Sequence, residues 1–210
     1  MQKLITFLFI LLPCTAYSSA ESSGLPDVDM TPVNVSEHVW YVKGKAGTAT
    51  ENAGFVSNAG FVITGDGVVI FDGLGTPVLA SMMLKEIRKL TQEPIRKVVV
   101  SHYHADHVYG LQVFKKEGAE ILAPVGAIDY LNSDSAESRL EERRVSLAPW
   151  VDDDTKLIPP DRYLTESEDF KMGGIEFTIS MLGSAHSEGD LTLFVKPDRV
   201  LFSGDVIFDE

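Results

Sequence analysis

Cysteine is almost missing from this chain: one residue in 210, at position 14. It falls within residues 1–20, where Lys3, the apolar run from Leu4 to Leu12 and the small residues Ser18, Ser19 and Ala20 follow the order of a secretory leader. Pro13 directly before Cys14 is a poor lipoprotein box, so cleavage near Ala20 is the expectation. The mature chain would then hold no disulfide and no thiolate ligand, leaving His, Asp and Glu as the only donors for a metal. The leader is too short to span a bilayer, and no later stretch is long and apolar enough. An exported protein, periplasmic or secreted, with no stable membrane insertion is expected. Positive charge is scarce as well, with 18 Lys and Arg against 31 Asp and Glu and a net charge of −13. That balance repels polyanions, so the expected partner is a small-molecule substrate and no nucleic acid. No repeat period is visible. Asp152 to Asp154 lacks the spaced ligands and glycine of a calcium loop and reads as an acidic turn.

What is present suits one domain with a real core, 44% of the residues being hydrophobic. Residues 21–31 read as an extended lead-in, and 32–210 as the domain. Val33 to Ser36, His38 to Val42, Phe55 to Ile63 and Val68 to Phe71 carry strand patterns, the last two joined by a turn at Thr64 to Gly67. From Pro77 the period changes: Val78, Met82, Ile87 and Leu90 mark an amphipathic helix that Pro94 ends. Ile95 to Val100 is a strand, Val108 to Lys116 a helix, Ile121 to Ala123 a strand, and Val125 to Arg144 a long helix. Such consecutive strand-helix units predict an α/β fold with a mostly parallel, buried sheet. Later strands are expected at 162–164, 170–172, 175–181, 191–195 and 200–202.

Three of the five histidines crowd into positions 102–107, as His102, His104 and His107, with Asp106 among them. Imidazole nitrogen and carboxylate oxygen are the donors a divalent cation such as zinc takes. His102 and His104 follow a strand, where alternate side chains share a side, so both can reach one ion. Asp106 is well placed to cap the helix that opens there.

Here the chain resembles the metallo-β-lactamase fold superfamily, whose H-x-H-x-D-H hallmark runs from His102 to His107. Asp72 after a strand, the segment Gly183 to Asp190 containing His186, and Ser203-Gly204-Asp205 follow in the family's order. The resemblance implies an αβ/βα four-layer sandwich. It also implies a two-ion zinc site, with His102, His104 and His186 on one ion, Asp106 and His107 on the second, and Asp205 bridging. Asp72 would be a buried support of the ligand loop. Such a pair of ions would lower the pKa of a bound water and polarise a substrate oxygen, with Asp106 as the catalytic group that orients the water. The family's dinuclear members supply one more histidine downstream of position 205, and the chain stops five residues beyond it. A fragment lacking its last strand-helix unit is therefore expected, with a non-catalytic binding module as the alternative.

Di-iron relatives carry glutamate where His104 stands, and the cysteine-ligand β-lactamases need a thiolate that the mature chain would lack. The resemblance thus points to a glyoxalase II-like ligand set in an exported zinc hydrolase acting on an ester, thioester or lactam-type bond. A β-lactamase and a mononuclear-iron persulfide dioxygenase are the alternatives. Tyr103 and the stretch Gly44 to Gly54 are candidates for lining the mouth.

Overall fold

The computed structural model describes residues 24–207; the leader and Cys14 fall outside them. Two sheets stack face to face. The larger has seven strands in chain order, β1 (Val33–Asn34), β2 (Val39–Val42), β3 (Ala59–Ile63), β4 (Val68–Phe71), β5 (Ile95–Val99), β6 (Glu120–Pro124) and β7 (Arg162–Leu164). β1 to β4 pair antiparallel, and β4 to β7 pair parallel through helical crossovers. The smaller sheet is antiparallel, in the order β11 (Val200–Phe202), β10 (Asp190–Val195), β9 (Ile175–Gly183), β8 (Glu168–Met172).

Strict alternation along the central strands creates two apolar layers. Val68, Ile70, Val98 and Ile121 face helix α1 (Pro77–Leu90), which buries Leu79, Met83 and Ile87, and helix α3 (Leu111–Lys116), which buries Phe114. Val69, Phe71, Val99 and Leu122 point the other way and meet Phe177, Ile179, Leu191 and Leu193 of the smaller sheet. Each fully buried side chain of this size contributes roughly 1.5–3 kcal/mol. The two layers offset the burial of Asp72, His102 and His107 at the strand ends. Helices therefore cover one face of the larger sheet and the smaller sheet covers the other. On the outer face expected to carry a fourth layer, the described residues after β11 form only a 3-10 turn, Gly204–Val206.

Several sequence expectations change in detail. The helix expected over Val125 to Arg144 is two helices, α4 (Ala127–Leu131) and α5 (Asp134–Ser146). Ser133 interrupts them because its hydroxyl caps the new helix, accepting from the Ala136 N–H at 3.3 Å. The strand expected from Phe55 begins only at Ala59. The helix expected from Val108 is also split, into α2 (Ala105–Val108) and α3, because the Gly110 N–H turns aside to Leu74 O at 3.1 Å. The lead-in is tied down over its described part: Trp150 Nε1 donates to Gly24 O at 2.8 Å, and Pro26 and Met30 are buried.

His38, which no motif singles out, fastens the two sheets at the end opposite the helical crossovers of the site. Its backbone N–H donates to Asp198 Oδ1 at 3.1 Å, and its Nδ1 lies 3.0 Å from Asp198 Oδ2. No helix among the described residues is long and apolar enough to cross a membrane.

Candidate metal centre

The parallel strands β4 and β5 end side by side, and the loops leaving them carry the residues the hallmark singles out. Asp72 follows β4 in a left-handed backbone conformation, φ +67°, and is buried. Its Oδ1 accepts the Ser101 N–H at 2.7 Å and its Oδ2 accepts the Ser101 hydroxyl at 2.8 Å. The same Oδ2 is 2.9 Å from His107 Nδ1. An ionised carboxylate only accepts, so His107 Nδ1 must donate, and a neutral His107 then presents a bare Nε2 to the centre. Ser101 relays the constraint. With its proton given to Asp72, its Oγ accepts from His102 Nδ1 at 2.9 Å, which leaves His102 Nε2 as the lone-pair nitrogen. One buried aspartate thereby sets the tautomer of two imidazoles.

Three ring nitrogens converge. His102 Nε2 lies 3.0 Å from His104 Nδ1, and His186 Nε2 lies 3.2 Å from the same atom. Donor atoms of these three residues all fall within 4.8 Å of one another. Ligands at about 2.0–2.1 Å around a tetrahedral cation are separated by roughly 3.3 Å, so the spacing fits one small ion. A second group, His102, His107 and Asp205, meets the same 4.8 Å limit. Asp205 leans toward both, with Oδ1 3.2 Å from His107 Nε2 and Oδ2 3.6 Å from His186 Nε2 and 4.0 Å from His102 Nε2. Asp106 approaches through His107 alone, its Oδ2 3.4 Å from Nε2. It does not cap the helix. His104 is the capping residue of α2, without a side-chain bond, and Asp106 sits in the first turn. From that position its carboxylate reaches His107.

The buried His107 Nε2 faces two carboxylates, 3.2 Å from Asp205 Oδ1 and 3.4 Å from Asp106 Oδ2, without a well-formed hydrogen bond to either. Burial opposes a charge on His107, but Asp72, Asp106 and Asp205 together outweigh it and push its pKa well up. The same negative field favours a cation at Nε2. Burial first, then the charge on His107, pushes His102 down to about 4, so its Nε2 lone pair is available at neutral pH. Burial and His186 lower His104 in the same sense. Asp106 and Asp205 are held below the usual carboxylate range: burial works against this, and the contact with His107 prevails. Two carboxylates kept ionised beside the lone pairs of His102 and His104, with a cation able to take the place of the His107 Nε2 proton, suit a divalent ion.

Two supports were not apparent from the sequence. Ser101 is one; besides its bonds to Asp72 and His102, its carbonyl accepts the Leu191 N–H at 3.0 Å, joining the larger sheet to the smaller one at the site. Asp190 is the other. Buried at the start of β10, its Oδ2 accepts the N–H groups of Ala185 at 3.0 Å, His186 at 2.8 Å and Ser187 at 2.8 Å, and its Oδ1 accepts the Ser187 hydroxyl at 2.9 Å. Those bonds shape the loop that presents His186. The aspartate ending Gly183 to Asp190 was the only available signal for it. Gly204 brings Asp205 in: its φ is +54°, and a Cβ there would stand 2.6 Å from that of Ser101.

Beside Asp106 a cavity of about 160 Å³ is walled by Ala49, Gly54, Val56, Arg143 and Leu147, which places Ala49 and Gly54 of the Gly44 to Gly54 stretch on the same cavity as Asp106. Tyr103 is nearly buried, donates to Ile158 O at 2.6 Å, and borders a smaller cleft with His104.

A sequence model of the metallo-beta-lactamase superfamily matches residues 52–210. Metallo-beta-lactamase IND-1 of Chryseobacterium indologenes is 21% identical over 207 residues, covering 99% of this chain and 75% of that protein. Acyl-coenzyme A thioesterase MBLAC2 of Gallus gallus is 32% identical over 119 residues, covering 53% of this chain and 41% of the relative. Among solved structures, a double mutant of the sec-alkyl sulfatase PisA1 superposes with a TM-score of 0.65 at 19% identity, covering 84% of this chain and 31% of the sulfatase. A metallo-beta-lactamase from Pontibacter korlensis gives 0.61 at 18%, covering 83% and 71%. With its two stacked sheets, its helices and its cluster of histidines and aspartates, the chain belongs to the metallo-beta-lactamase superfamily.

Proposed function

We propose that this chain is an exported, zinc-dependent hydrolase that cleaves an ester, thioester or lactam-type bond in a small molecule. The convergence of His102, His104 and His186 at one tetrahedral spacing carries the reading. His102, His104 and His186 would hold one ion. His107 and Asp205, with Asp106 at their side, would hold a second, and Asp205 would bridge. When bound, zinc supplies Lewis acidity, polarising a carbonyl and making water acidic enough to ionise near neutral pH.

The chain's own groups supply the rest. Asp106, kept ionised by its contact with His107, accepts a hydrogen bond from the attacking water and orients it. Asp72 and Ser101 keep the His102 and His107 lone pairs aimed at the centre, so no ligand has to reorganise during turnover. Likeness to IND-1 favours a lactam and likeness to the thioesterase favours a thioester, so both belong in a substrate screen. Residues 1–20 support export, and the net charge of −13 disfavours nucleic acid.

Two measurements test the reading. Protein purified without added metal should contain zinc; about one iron per chain, with oxygen uptake on a persulfide, would replace the hydrolase by a dioxygenase. His104→Ala should lower hydrolysis of any substrate found by at least about 1,000-fold with the fold intact. Retained activity in the folded variant would remove the assignment.

A further inference from the structure

Two neighbouring arginines on α5 are equally exposed, 22% at the side chain, and behave oppositely. Arg144 is fully engaged: its Nε donates to Asp152 O at 2.9 Å, its Nη2 to Thr155 O at 3.0 Å, and its Nη1 pairs with Glu141. Arg143 makes no side-chain hydrogen bond among the described residues, and its one carboxylate neighbour, the exposed Glu142, stands 3.5 Å from Nε. A guanidinium carries five donors in a planar fork; in Arg143 water and the 3.5 Å contact with Glu142 take them, so they are available to a ligand that enters the cavity. Arg143 lines the cavity beside Asp106, where its neighbours are Ala49, Val56 and Leu147. No other cationic residue lines that cavity. In a chain of net charge −13, an arginine on the cavity beside Asp106 is a local reversal of the overall charge.

We infer that this cavity binds a carboxylate borne by the substrate, with Arg143 as its bidentate partner and Ala49, Val56 and Leu147 enclosing the short apolar stem. The inference deepens the hydrolase reading, since the cavity shares Asp106 with the proposed centre. A monoanion matches the single guanidinium; a phosphate dianion would leave charge uncompensated beside Asp106. The fork geometry of guanidinium and carboxylate adds orientation as well as attraction, so the carboxylate would fix which bond faces the ions.

Binding and turnover can be read separately. Butyrate titrated into the purified protein and followed by NMR should shift the amide signals of Ala49, Gly54 and Leu147. Its uncharged analogue butyramide should bind at least about tenfold more weakly, and Arg143→Gln should erase the difference between them. Arg143→Lys should keep part of it. In a second measurement, wild-type protein should prefer mono-4-nitrophenyl succinate over 4-nitrophenyl butyrate by about tenfold or more in kcat/KM, and in Arg143→Gln the ratio should fall to near one. Equal binding of butyrate and butyramide, or a preference that survives Arg143→Gln, overturns the inference. If neither ester is turned over, the hydrolase reading loses support while the titration still decides the role of Arg143.

Discussion

Two buried aspartates serve the two halves of the candidate centre, and they work differently. Asp72 acts on side chains: directly on His107 and through Ser101 on His102, it decides which ring nitrogen carries a proton. Asp190 acts on the backbone, gathering three consecutive amides so that the loop carrying His186 holds its shape. The first half is buried and fixed; the second keeps solvent access, with 28% of the His186 side chain exposed. A family hallmark is visible where side chains do chemistry, while the supports that aim them are spread over other elements.

The contrast can be broken by mutation. Asp72→Ala should have the largest effect, lowering metal affinity by about 10–100-fold and stability by roughly 3 kcal/mol, because two buried imidazoles lose their orientation together. Dialysis against a chelator and urea unfolding measure the two; unchanged metal content would show that Asp72 does not aim the ligands. Asp72→Asn should be nearly as damaging, since an amide offers a donor where three donors already converge. Asp190→Ala should cost about 2 kcal/mol and roughly tenfold in metal affinity, with faster hydrogen exchange at Ala185, His186 and Ser187. Here Asp190→Asn should recover much of the loss, because a neutral oxygen can still accept backbone N–H groups. Equal damage from the two asparagine variants would erase the distinction.

Smaller effects follow. Ser101→Ala should lower stability by about 1 kcal/mol and weaken metal binding less than Asp72→Ala does, since His107 keeps its partner. Asp198→Ala, at the His38 contact, should cost about 1 kcal/mol in unfolding and leave metal content unchanged. A loss of metal in that variant would mean that the sheet contact and the centre are coupled.

The helix and strand alternation from Val68 to Ala123 was readable because each apolar residue there faces one of two layers, and the period records which. The motif from His102 to His107 was readable because so many donors rarely fall together. Ser101 was not, since a serine before a histidine has no signature; its role arises only when β4 ends beside β5 and brings Asp72 within 2.8 Å. Asp190 and Asp198 were hidden for the same reason, as their partners are a loop and a strand end. The break at Ser133 was missed because helix-forming residues lie on both sides of it, and a single capping hydroxyl is a weak local cue.

The Leu191 amide that ends on Ser101 O ties the stacked sheets together one residue before His102. Residues from both sheets would close around the same cations, His102 and His107 from one and His186 and Asp205 from the other. Captured metal would act as a rivet through that seam, adding its binding free energy to the joint. Stripping it should loosen the fit between the sheets before either one unravels, making metal content a gauge of assembly as well as of chemistry.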